Sequence, residues 1–159
     1  MLDWSAVFLH EVRSVDISHA GWGFVSFNLA MTVTRLLGDK AVDRLGRSPA
    51  VLIGGLLAGA GFALATWAPS FELALLGYAL VGVGCANIVP VMFTLAGKQT
   101  RMPERIAIPA VTTMGYAGVL LGPASIGFIA QQWSLQVAFL LAAAALACVG
   151  VMGSLLRPR

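Results

Sequence analysis

Charge is what this sequence has least of. Only 11% of its 159 residues are Asp, Glu, Lys or Arg, against about 25% in a soluble domain. So few charges cannot cover a water-soluble globule, which excludes a soluble enzyme and a nucleic-acid binder. Cysteine is almost missing: Cys85 and Cys148 both fall inside apolar runs, where a thiol packs as a small hydrophobe and says nothing about redox compartment. No basic region opens the chain and Asp3 stands there instead, so no cleavable signal peptide is expected. HExxH, GxSxG and paired acids inside apolar segments are lacking, and His10 and His19 sit at segment edges. That leaves no residue set for an intramembrane enzyme, no metal site and no cofactor site.

What is present is apolar mass. Hydrophobic residues make up 58% and mean hydropathy is +0.86, the composition of an integral membrane protein. A spanning helix takes roughly 20 apolar residues, so the length accommodates about five or six spans. Five segments qualify: residues 19–37, 50–68, 73–96, 106–130 and 135–156. Residues 2–12 are apolar but too few to span, and read as the outer half of a helix. The expectation is an all-α polytopic transmembrane bundle, one unit over residues 1–159, with five full spans and a partial N-terminal helix.

The ten basic residues orient it. Arg35, Lys40, Arg44 and Arg47 flank the first connection, Lys98, Arg101 and Arg105 the third, and Arg157 and Arg159 end the chain. The connections at 68–72 and 131–134 hold no Lys or Arg, and each has a tryptophan beside or within it, Trp67 and Trp133. Arg13 alone falls on the other side. Positive-inside bias therefore puts the C-terminus in the cytoplasm, as expected of a multi-pass protein of a bacterial inner membrane.

Polarity divides the spans. The second and fifth are nearly free of polar side chains, whereas the others carry stripes. Asn28, Thr32 and Arg35 share one helical face, Asn87 and Thr94 another with Pro90 between them, and Thr112 and Tyr116 a third. Such faces point into the bundle or a wet cavity. Asn28, Thr32, Asn87, Thr112 and Tyr116 are thus candidate cavity residues, although interhelical hydrogen bonds worth roughly 0.6–2 kcal/mol account for such groups equally well. Asp3, with Trp4 beside it, joins them: it lies roughly 13 Å inward of Val12 at 1.5 Å per residue, near the midplane, where a carboxylate is a candidate for substrate or a coupling proton. A frayed polar terminus is the competing reading. Gly118, Gly122, Pro123 and Gly127 in the fourth span, like Pro90 in the third, suit bending or close packing.

The most specific motif is RLLGDKAVDRLGRSP at residues 35–49. Gly46 permits a positive-φ turn, and Asp39 or Asp43 can pair with a base or lie at a helix N-terminus. Asp43-Arg44-Leu45-Gly46-Arg47 between two spans resembles the loop signature of the major facilitator superfamily: Gly, three residues, Asp, Arg or Lys, any residue, Gly, then basic residues. Gly38 precedes Asp43 by five positions instead of four, and Ser48 replaces a final base, which suits the weaker second copy of the signature. The resemblance implies the end of helix seven and helices eight to twelve, the polar-poor spans falling at the peripheral ninth and twelfth. Gly118, Gly122, Pro123 and Gly127 resemble the glycine-proline motif of helix five at its repeat position. Asp3-Trp4-Ser5 and Gly115-Tyr116-Ala117-Gly118 resemble the bacterial branch of MosC-like membrane proteins.

That resemblance implies transport of a small solute by alternating access, with Arg35, Gly38, Asp39, Asp43, Arg44, Gly46 and Arg47 as a cytoplasmic gating motif. The expected partners are the lipid bilayer, a solute with or without a coupling proton, and a further six-helix half or second copy. No nucleic acid is expected. The alternative is a non-transporting membrane interaction subunit or a truncated remnant.

Overall fold

The computed structural model describes residues 4–100 and 102–155, with backbone alone at 39–41 and 154–155. Asp3, Arg101, Arg157 and Arg159 lie outside the described residues. All described regular structure is helical: α1 (Ser5–Val7) running into a π-turn (Phe8–Val12), α2 (Ile17–Ala20), α3 (Trp22–Leu45), α4 (Arg47–Trp67), α5 (Phe71–Cys85), α6 (Ile88–Lys98), α7 (Glu104–Gln132) and α8 (Leu135–Leu155).

Side-chain caps explain three of the helix starts. Ser70 Oγ accepts from the Leu73 amide at 3.3 Å and caps α5, while Glu72 sits in the first turn, where the helix dipole favours an anion. Ser134 Oγ accepts from the Val137 amide at 3.2 Å ahead of α8. Asp16 caps α2, accepting from the Ser18 amide at 2.8 Å and the Ser18 hydroxyl at 2.6 Å. Those bonds hold its carboxyl below the usual value, so the cap persists at neutral pH and is lost as pH falls through that lowered value.

Among the described residues four helical segments are long and apolar enough to cross a membrane: Arg47–Trp67, Phe71–Lys98, Glu104–Gln132 and Leu135–Gly153. The third expected span is interrupted, because α5 stops at Cys85 and α6 starts at Ile88. The first differs more. Residues 38–45, expected as part of the first connection, are helical, and α3 runs 24 residues to Leu45. Its charges lie along an extended helix, dilute its hydropathy and leave Gly46 as the turn, with φ +88°.

Packing centres on α4, which lies against α8 on one side and α5 on the other, with α3 packed on α5. Small residues make this possible. A Cβ on Gly55 would lie 2.5 Å from Gly150 Cα, and one on Gly61 would lie 2.7 Å from the Gly77 carbonyl. Phe8 of the π-turn stacks on Phe139 of α8 at 4.6 Å between centroids, and Phe62 of α4 meets Phe139 edge-on at 5.4 Å. The N-terminal segment is thereby tied to α4 and α8.

Arg13 reinforces the tie. Its guanidinium lies 5.9 Å from the Phe8 ring centroid and donates to the Thr66 carbonyl in the last turn of α4. The basic residue on the arginine-poor side is therefore no solvated charge: it meets the negative end of a helix dipole. Arg13→Gln is expected to destabilise the bundle by about 1–2 kcal/mol, read as a lower melting temperature in detergent. An unchanged melt would refute that role.

Candidate functional site

A cavity of about 380 Å³ opens between α6 and α7. Ile88, Val89, Met92 and Phe93 line it from α6, and Val111, Thr112, Gly115, Tyr116 and Val119 from α7. The space exists because α7 packs sparingly: among its 29 residues only Ala107 is buried. Gly115 adds to it, since a Cβ there would meet nothing within 4 Å. No lining side chain is charged. Thr112 turns its hydroxyl to the Ile108 carbonyl of its own helix at 2.9 Å, so the exposed Tyr116 is left to present a phenol. This wall suits an uncharged, largely apolar molecule better than an ion, whose desolvation it would not compensate.

The expected polar stripes do not converge on one place. Thr112 and Tyr116 share the α6–α7 cavity. Asn87 lies elsewhere, in a second space of about 180 Å³ bounded by α3, α4 and α5. Asn28 donates to the Phe24 carbonyl at 2.9 Å, one turn back in α3, and Thr32 is exposed on the same helix. Thr94 likewise bonds the Pro90 carbonyl at 2.8 Å. Trp4 is half-buried, and a Cβ on Gly127 of α7 would come within 3.1 Å of its ring. Asp3 falls outside the described residues. Gly118 and Gly122 have nothing within 4 Å of a built Cβ, so no helix among the described residues packs on them. Pro123 lies within α7.

Several groups had no sequence signal. Met92, Phe93, Val111 and Val119 line the cavity, yet by hydropathy they cannot be told from lipid-facing residues. Tyr78 is fully buried and its hydroxyl has no partner among the described residues, and the same holds for the Ser5 hydroxyl nearer the N-terminus. Among the described residues no cluster of His, Cys, Asp and Glu is arranged to hold a metal ion.

Comparison with known proteins decides the lineage. The family model described as Major Facilitator Superfamily matches residues 4–159. The chain belongs to the major facilitator superfamily. It is 51% identical to an MFS-type transporter of Yersinia pestis over 87% of this chain and 36% of the relative. It is 37% identical to membrane protein MosC of Rhizobium meliloti over 87% of this chain and 34% of that protein. Multidrug resistance protein MdtH of Yersinia enterocolitica is 31% identical over 85% of this chain and 37% of its own length. The chain thus spans about a third of the length of the curated relatives it matches. No solved structure matches it.

Within this superfamily chain the loop signature adopts a definite geometry. Gly38 is buried in α3, Asp43 and Arg44 are exposed in its last turn, Gly46 makes the positive-φ turn, and half-buried Arg47 starts α4. The Asp39 side chain lies outside the described set. Among the described residues Asp43, Arg44 and Arg47 form no ion pair with each other, so the expected charge pairing within the motif is not made by these three.

Proposed function

We propose that the chain is the C-terminal half of a solute transporter working by alternating access, one six-helix bundle rocking against another around a site near the membrane midplane. The α6–α7 cavity carries this reading: it holds Thr112 and Tyr116, lacks charge, and lies on the helix least covered by the rest of the chain. Its chemistry favours a small, mainly apolar solute with a hydrogen-bonding group for the Tyr116 phenol, a reading that the multidrug resistance relative supports. In this arrangement α3 is a fifth span, residues 2–12 are the end of another, and the C-terminus is cytoplasmic at the inner membrane. Asp43, Arg44 and Arg47 then face the cytoplasm and meet the other half. Asp3 is the candidate for a coupling proton. Chemistry on the solute forms no part of the mechanism.

The test is dye accumulation in bacteria expressing the chain in frame behind a six-helix N-terminal half and the beginning of the seventh helix. Accumulation of a lipophilic dye differing from that in empty-vector cells, and reverting with Tyr116→Ala, is the expected result. Identical accumulation across a panel of dyes and small metabolites would favour the non-transporting subunit instead.

A further inference from the structure

The break between α5 and α6 has a sequence cause and a partner on another helix. Pro90 has no amide hydrogen, so the Ala86 carbonyl, four residues back, loses its helical donor. The ladder resumes one residue later, with the Val91 amide donating to the Asn87 carbonyl at 3.1 Å. On the other side the Ala86 amide makes only a long bond to Val83, at 3.4 Å. The freed carbonyl is not left bare: Arg35 of α3 donates to it through Nε at 3.3 Å. One turn further along α3, Gly38 lets the Asn87 side chain lie against the helix, and a Cβ there would come within 2.8 Å of Asn87 Cγ. Two positions of α3 therefore grip the two residues of the break.

We infer that Arg35 is a positioning residue that holds the α5–α6 joint closed by supplying the hydrogen bond that Pro90 removes. A guanidinium suits the task, because it stays charged and meets the C-terminal, negative end of α5. Since α6 forms one wall of the α6–α7 cavity, the angle of α6 at this joint sets the shape of that wall. Release of Arg35 lets α6 turn about Ala86 and Asn87 while α5 stays packed on α4. The joint is a property of this chain and stands whether or not the cavity carries a solute.

Cys85, half-buried and next to Ala86, reports on the joint directly. The experiment measures its alkylation by N-ethylmaleimide in membranes holding the full chain, with the exposed Cys148 replaced by alanine. Arg35→Met is expected to speed alkylation roughly tenfold, the size of effect that follows loss of a charge-assisted hydrogen bond. Arg35→Lys, which keeps a donor, gives a smaller rise. Gly38→Ala, which displaces Asn87, gives a rise with Arg35 intact. Pro90→Ala restores an amide at the missing position, so in that background Arg35→Met has little effect. An unchanged rate in Arg35→Met would overturn the inference. So would an equal rise in both proline and alanine backgrounds, which is the outcome if the substitution merely unfolds the bundle.

Discussion

Replacing Gly61 with leucine is expected to cost the bundle most of its stability. A Cβ at Gly61 would lie 2.7 Å from the Gly77 carbonyl and 2.7 Å from the Val81 amide nitrogen. The contact is mutual, since a Cβ at Gly77 would lie 2.6 Å from the Ala65 nitrogen and 2.7 Å from the Gly61 carbonyl. These are backbone atoms of two packed helices, and no rotamer change can clear them. The helices must separate, and α4 also carries the contacts with α8, so the strain reaches the whole packed set. Overpacking in a core costs roughly 1–3 kcal/mol, and Gly61→Leu belongs at or above the top of that range. The measurement is thermal aggregation of the detergent-purified protein, with Gly118→Leu as control. Gly118 has nothing within 4 Å, so the control melts like the parent. Equal melting of Gly61→Leu and the parent would show that α4 and α5 do not approach as described.

The second large effect concerns a glycine of the opposite kind. Gly115 lines the α6–α7 cavity and has no neighbour within 4 Å of a Cβ. The Cβ of a tryptophan there meets nothing within 4 Å, so folding is expected to persist, while its indole takes a large share of a space of about 380 Å³. If solute passes this wall, Gly115→Trp in the transporter context lowers uptake or efflux by roughly tenfold or more, because a wrongly filled apolar site loses both contact and room. The readout is initial transport rate alongside the melting temperature. A full rate with an intact melt would place the solute path elsewhere.

These two glycines mark how far the sequence could be read. GxxxG spacing at Gly55 and Gly59 and again at Gly118 and Gly122 is the same signal, yet one pair packs on α8 and the other meets nothing among the described residues. Spacing reports that close approach is permitted, and only the arrangement of helices says whether it happens. The same limit applies to α4 and α8. Their lack of polar side chains was legible, but hydropathy does not separate a face on another helix from a face on lipid, and the two pack on each other. The long apolar helices were legible because apolar length is a local property. The extension of α3 to Leu45 was not, since a charged stretch reads as a connection although it is also compatible with a helix continuing out of the apolar layer. Gly46 was legible because a positive φ has few other solutions.

The cavity was the least legible part. Thr112 and Tyr116 stood out as polar residues in an apolar span, and both line it. Asn28 and Thr32 stood out for the same reason, but Asn28 turns to its own backbone, as an amide in an apolar setting does when a carbonyl is one turn away. Pro90 announced a break. That the freed carbonyl would find Arg35 depended on the packing of α3 against α5, which no local pattern encodes.

We propose that this chain supplies the C-terminal half of a transporter and moves solute only together with the rest of it. Dye flux is measured into proteoliposomes containing the purified chain alone, or the chain co-reconstituted with a six-helix N-terminal half that carries the beginning of the seventh helix. No flux above empty liposomes is expected for the chain alone, and saturable flux is expected for the pair. Saturable flux by the chain alone, or none by a correctly assembled pair across a broad solute panel, would contradict it.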